Sequence, residues 1–497
     1  MRKIVSIAAV AVSAALGGCA VTPKPLTPSE LATNATRNMA AVAADQEPVT
    51  GPIDLYEAMA RGLKYNLDYK VEMMQEALKG RELEAARLDM LPQLVASSGY
   101  ASRNNFAGAS SLSLLSGRQS LEPSTSSEKD IFSADLGLSW DVLDFGLSYV
   151  RAQQSADQVL ISMEARRKVA NRIVEDVRTA YWRAVSAERL LKKLGELETG
   201  VTTTLADSER LSERRLSAPL TALTYQRELV DIQVNIRQLQ RELVIAKAQL
   251  AALMNLKPGT PFTLVLPDRA QRLPKLALSG EDMMMAALRN RSELRDVSYR
   301  QRITGKELDA TLLKMLPNIR SVVGINYDSN DFLFNNDWAN VGVRASWNVL
   351  NLFKYPTQKR AVKAQQAVLE QRELALSMAV ITQVNVARAR FSHLTAELDS
   401  ADHQSRVQDK ILYQIRSGFK AGALSQQTLL REEMNTLVSE VKYDIAYASA
   451  QNAYANLFGS MGVDDFGPDI SGREDVATLS RSLKRLWQGR ETSLTLN

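Results

Sequence analysis

The sequence predicts an α+β membrane protein with a two-fold internal repeat. Each repeat carries a transmembrane β-hairpin followed by long coiled-coil α-helices. Three observations lead there: a duplicated sentence, two strands of alternating polarity, and helical windows far longer than a globular domain uses. The duplication is plainest in "GRELEAARLDMLPQLVASSGY" from Gly80 and "GKELDATLLKMLPNIRSVVGI" from Gly305, which keep step at an offset of 225. Leu138–Gly146 ("LSWDVLDFG") then falls on Ala345–Phe353 ("ASWNVLNLF") at offset 207, and Leu220–Glu228 falls on Leu424–Glu432 at offset 204. The halves run over 54–256 and 281–458. The change of offset puts 18 extra residues into the first half, in the Ser/Gly-rich "NNFAGASSLSLLSGRQSLEPSTSSEKD", where a loop tolerates insertion.

The strands come first in each repeat. From Phe132 to Val142, Phe132, Ala134, Leu136, Leu138 and Trp140 alternate with Ser133, Asp135, Gly137, Ser139 and Asp141. From Ala339 to Val349 the same period of two sets Val341, Val343 and Trp347 against Asn340, Arg344 and Asn348. About 11 residues with one apolar and one polar face suit a strand between lipid and water. Asp135, Asp141 and Arg344 then face the lumen, and Trp140 and Trp347 sit at the bilayer interface. The partners follow Pro92 and Pro317, giving hairpins at about 93–143 and 318–350.

The helices follow, over about 146–256 and 357–458. No Gly or Pro occurs between Pro356 and Gly418, a window of roughly 90 Å as continuous helix. Val380, Val384, Ala387, Phe391, Leu394, Leu398 and Ala401 step by 4,3,4,3,4,3, and Leu229 to Leu253 repeat the pattern. A seam of period 3.5 asks for a partner helix along its length. Such helices alone also fit a soluble bundle or a periplasmic adaptor scaffold. The strands argue otherwise. Four strands cannot close a barrel, and an open edge is not tolerated in lipid. Three copies supply twelve strands, an even number within the range of outer-membrane barrels.

The ends are informative too. Arg2 and Lys3 precede an apolar run, "IVSIAAVAVSAAL", which reads as an export signal over 1–18. It closes on "LGGCA", similar to the lipobox of bacterial lipoproteins, which makes Cys19 the acylated first mature residue. Cys19 is the single cysteine, so no disulfide forms within the chain. Residues 19–53 read as a flexible tether. The Pro-rich 257–280 joins the repeats, and with 459–497 it forms an equatorial collar in which "VATLSRSLKRLWQG" is a short amphipathic helix.

Composition narrows the function. The 497 residues hold 61 Lys and Arg against 56 Asp and Glu, a net charge of +5. The charges are interspersed without a basic, aromatic-laced tract, which leaves nucleic-acid binding unsupported. His393 and His403 lie ten residues apart with no ligand set around them, so neither a metal nor a catalytic centre is expected. No phosphate-binding loop is present, and no cofactor is expected.

Taken in order, the duplicated "MLP" hairpin entry, the "W-x-V-L-D/N" strand exit and "FKAGALS" from Phe419 to Ser425 resemble the TolC-like outer-membrane efflux proteins, in their lipoprotein branch. The resemblance covers roughly 50–460. It implies a homotrimer with a 12-stranded barrel in outer-membrane lipid, continuous with a periplasmic α-helical tunnel. It also implies partners, a periplasmic adaptor and an inner-membrane transporter, and a passive role in exporting small molecules such as drugs and toxic compounds. A type I protein-secretion duct is the alternative within the same family. In the family the helix tips close the pore and meet the adaptor. Here the tips are Ser212–Glu228 and Tyr413–Glu433. Many relatives carry an Asp six residues after the second-tip Gly; this chain has Thr428 there and Arg431 three further on. The expected constriction is Tyr225, Thr428 and Arg431, less cation-selective than an acidic ring, unless Arg431 pairs with a neighbouring acid. The adaptor-docking tips are Arg214, Arg215 and Pro219 in the first half and Gly418, Lys420 and Gly422 in the second. Arg210 and Arg416 add to a basic surface suited to an acidic partner.

Overall fold

The computed structural model describes residues 23–42, 44, 46–120, 122–213, 219–267, 278–463, 466, 470 and 472–495. Cys19, Arg214 and Arg215 lie outside the described residues. The elements run α1 (Pro28–Ala41), α2 (Leu55–Tyr65), α3 (Leu67–Leu88), β1 (Gln93–Ser102), β2 (Asp130–Asp141), α4 (Val142–Glu213) and α5 (Pro219–Leu253). The second repeat continues with α6 (Gly280–Asn290), α7 (Ser292–Leu313), β3 (Asn318–Asp328), β4 (Asp337–Ser346), α8 (Asn351–Lys420), α9 (Gln426–Ser460) and α10 (Val476–Thr495).

The four strands form one antiparallel sheet in the order β1-β2-β3-β4, with β1 and β4 at its edges. Register carries the alternation across all four. Leu94, Leu138, Val323 and Val341 share one row, and Ala96, Leu136, Ile325 and Ala339 the next. These rows are exposed, with Val341 at 80%. On the other face Asp141 accepts from Arg320 Nε at 2.9 and 3.0 Å and from Asn318 Nδ2 at 2.8 Å.

The two longest helices have 72 and 70 residues, roughly 110 and 105 Å of rise. Their seams are what the spacing predicts. Val380, Val384, Phe391 and Leu398 of α8 are buried, as are Leu229, Ile236, Leu243 and Leu250 of α5. The apolar side chains form two clusters. One, at the equator, joins α2, α4, α6, α9 and α10; the other, towards the tips, joins α4, α5 and α9. At the equator Ile53 bridges in parallel to Leu264, and Tyr181 donates its hydroxyl proton to the carbonyl of Val265 at 3.0 Å. Gly62 lets α2 lie against α4: a Cβ there would stand 2.8 Å from Val177 Cγ2.

Three expectations change. The tether contains α1, closed by a capping box between Thr27 and Glu30 with Pro28 at its first position, although none of its side chains is buried. Both long helices start early, at Val142 and Asn351 rather than near 146 and 357. Pro356 lies inside α8, where it removes one backbone bond near the strand junction without ending the helix. The inserted loop has structure of its own, with bridges Ala109–Ser124 and Leu112–Gln119.

Candidate functional site: the helix tips and the sheet face

The second tip is built by its turn. Lys420 ends α8, and the chain reverses at Gly422, whose φ is +71°. The Ala423 N–H donates to Gly418 O and the Gly422 N–H to Phe419 O, both at 2.9 Å. That pair of bonds satisfies two carbonyls left free at a helix end and needs a left-handed residue, which glycine supplies without strain. Gly418 gives close room here: a Cβ there would meet Leu424 Cδ1 at 2.6 Å, so a larger residue needs that exposed side chain to shift. Ser425 then caps α9, accepting from the Thr428 N–H at 3.2 Å.

On α9, Leu430, Met434 and Leu437 face the tip-side cluster. Arg431 stands about 100° round the helix from Leu430, away from that seam. It is half exposed, and its Nε lies 3.7 Å from Glu432 Oε1, too long for a hydrogen bond. The tight pairing at this tip belongs to other residues: Arg416 donates to Glu433 at 3.0 Å, and Gln408 donates to Glu432 at 3.0 Å. Thr428 shares its hydroxyl with Ser425 at 3.0 Å.

Tyr225 is placed differently from its two companions. Its ring packs against the tip-side cluster, and burial raises its hydroxyl pKa, with Asp207 adding to the effect. The repeat also sets Thr224, not Tyr225, on Thr428, since Leu220 pairs with Leu424. Among the described residues no hydrogen bond or ion pair joins Tyr225, Thr428 and Arg431 to one another. The basic surface is thinner than the sequence suggests. Arg210 is held by Asp207 at 2.5 Å and Arg416 by Glu433, which leaves Lys420 as the exposed cation at the second turn. The Pro219 backbone opens α5.

The three lumen candidates share the polar face of the sheet. Asp141, Arg320 and Arg344 lie in one row, so a single carboxylate stands beside two guanidiniums and binds one. Asp135 accepts weakly from Ser97 Oγ at 3.4 Å. Arg320 does not stand out in the sequence because "NIRSVVGINYD" alternates only in part; its place in register with Asp141 is a signal that only the sheet supplies.

Among the described residues no helix is long and apolar enough to cross a membrane, and no cluster of His, Cys, Asp or Glu could hold a metal ion. No protein-family model matches the chain, and no curated protein matches it. Solved structures do. The CmeC outer membrane channel of Campylobacter jejuni superposes with a TM-score of 0.65 at 12% identity, over 90% of this chain and 94% of that one. The CusC transmembrane channel gives 0.63 at 16%, over 89% and 100%, and the open MtrE outer membrane channel of Neisseria gonorrhoeae gives 0.61 at 17%, over 82% and 88%. At such identities the likeness is one of fold, and the chain has the TolC-like channel-tunnel fold that its duplicated motifs resemble.

Proposed function

We propose that the chain is the outer-membrane channel of a tripartite efflux system. Three copies form a homotrimer whose twelve strands close one barrel and whose helices close a tunnel into the periplasm. It is a conduit and not an enzyme. Small molecules leave through it passively, and a periplasmic adaptor and an inner-membrane transporter supply the energy. One observation carries this reading: a sheet whose apolar rows stand exposed and whose edge strands, β1 and β4, have no partner strand among the described residues. A sheet of this kind has its apolar face and both edges satisfied only in lipid, between other copies of itself. Cys19 carries the lipid anchor, Asp135, Asp141 and Arg344 line the barrel, and the two tips around Arg214, Arg215, Pro219, Gly418, Lys420 and Gly422 receive the adaptor.

Thr428 and Arg431 narrow the tunnel at the tips, with Tyr225 packed behind them. Single-channel recording of the detergent-purified trimer in a planar bilayer tests both levels. Discrete steps of low conductance are expected, and Arg431→Asp should shift selectivity towards cations. Unchanged selectivity removes Arg431 from the pore. A soluble monomer without conductance overturns the channel.

A further inference from the structure

A groove of about 1150 Å³ opens at the equator between α4, α8 and α9. Drug-sized ligands occupy sites of comparable volume. Its charge is lopsided. Arg183 and Lys168 of α4, Arg390 of α8 and Arg291 just before α7 line it, against the carboxylates of Glu175 and Glu293. Glu293 is already committed, accepting twice from Arg291 at 3.1 Å. Arg183 and Arg390 have no hydrogen-bond or ion-pair partner among the described residues.

Some cations elsewhere on the helices are matched. Lys193 holds Glu440 at 2.9 Å, Lys247 holds Glu188 at 2.5 Å and Arg237 holds Glu198 at 3.1 Å. The groove also has an apolar side. Ile445 and Val386 are about half exposed in it, and Ala448 and Ala453 keep its α9 wall low. The Trp487 ring also lines it, with the guanidiniums of Arg178 and Arg490 at 4.4 and 5.1 Å from its centroid. A cleft lined by one sign of charge concentrates the opposite ion, and guanidinium matches carboxylate and sulfonate oxygens in pairs.

We propose that this groove binds an amphipathic organic anion: a carboxylate or sulfonate held by Arg183 and Arg390, with an aromatic or aliphatic body against Ile445 and Val386. The inference rests on the channel reading only in treating that anion as cargo, and it names the cargo's charge class.

The test is equilibrium binding, which does not depend on conductance. The purified full chain is titrated against fluorescein by fluorescence anisotropy, with rhodamine 6G as a cationic dye of similar size. Saturable fluorescein binding is expected, weakened at least tenfold in the double variant Arg183→Glu, Arg390→Glu, with rhodamine 6G gaining. The milder Arg183→Gln, Arg390→Gln pair should weaken fluorescein while keeping the wild-type melting profile, which separates a binding defect from misfolding. Equal affinity in wild type and variants overturns the proposal. So does wild type that binds neither dye; if the Glu variant then falls to monomers, the groove is an acid-receiving interface between copies. A soluble monomer that binds fluorescein without conducting leaves the groove standing and defeats the channel.

Discussion

The equator and the sheet use apolar residues in opposite ways. At the equator Leu457, Met59 and Met283 are fully buried inside one chain. In the sheet the Leu94–Leu138–Val323–Val341 row is exposed along its whole width. Burial is the main favourable term in folding. The equatorial layer therefore carries its own stabilisation, whereas the sheet depends on surroundings the single chain does not contain. The tips stand between these extremes, with a buried seam on one side of α9 and an exposed polar strip on the other.

A charge placed on the apolar rows should break this contrast most severely. Leu138→Arg puts a guanidinium where lipid is expected, at a cost of about 2–4 kcal/mol per chain near the bilayer midplane. The trimer proposed above, read as a heat-resistant species in the membrane fraction, should vanish. Ser139→Arg, on the other face of the same strand, should leave it. Equal tolerance of both substitutions would falsify the assignment of faces.

Next in size is a cavity at the equator. Leu457→Ala should cost about 2–5 kcal/mol and lower the melting temperature of the detergent-purified protein. Val341→Ala removes methyl groups that nothing in the chain covers, and should change that temperature little. Matching shifts would mean that the sheet's apolar face is buried in detergent as firmly as the equator is within the chain.

The turn sharpens the comparison at the tips. Gly422→Ala forces a side chain into a left-handed conformation at about 1–2 kcal/mol. Gly418→Val sets atoms against Leu424. Both should open the hairpin locally, read as faster trypsin cleavage after Lys420 with the equatorial melting unchanged.

Much of the architecture was legible because it is periodic. The alternation from Phe132 to Trp140 and the 4,3 steps from Val380 to Ala401 each encode a face, and the offset repeat doubled every signal. The tips were harder. Gly422 was visible as a turn, and Asp207 stands three residues before Arg210 on one helix, but the partner of Arg416 depends on which helix faces come together, and no single period states that. Tyr225 packs on the tip-side cluster, one residue and so about 100° of rotation from Thr224, the position the repeat pairs with Thr428. The groove with Arg183 and Arg390 was invisible, since its walls come from three helices far apart in sequence.

The smallest effect concerns the contacts between Glu47 and the start of α10. Glu47 accepts from Lys64 Nζ at 2.6 Å and from the Val476 N–H at 3.2 Å, at the start of α10. Lys64's hydrogen bond holds the Glu47 carboxyl below its ordinary value, against an opposing effect of burial. A carboxylate depressed in the folded state contributes stability above its unfolded value, about 4.3, and loses it as pH falls through the lower folded value. The protection factors of the α10 amides, exchange corrected for its intrinsic pH dependence, should therefore be lower below about pH 4 than at pH 7. Glu47→Gln should flatten that dependence and loosen α10 slightly at neutral pH. Because the pair is partly exposed, the whole effect stays within about 1 kcal/mol. An α10 protection-factor profile that keeps its wild-type pH dependence in Glu47→Gln would transfer the anchoring to other contacts, such as the bond from Lys64 Nζ to the Glu474 carbonyl at 2.6 Å.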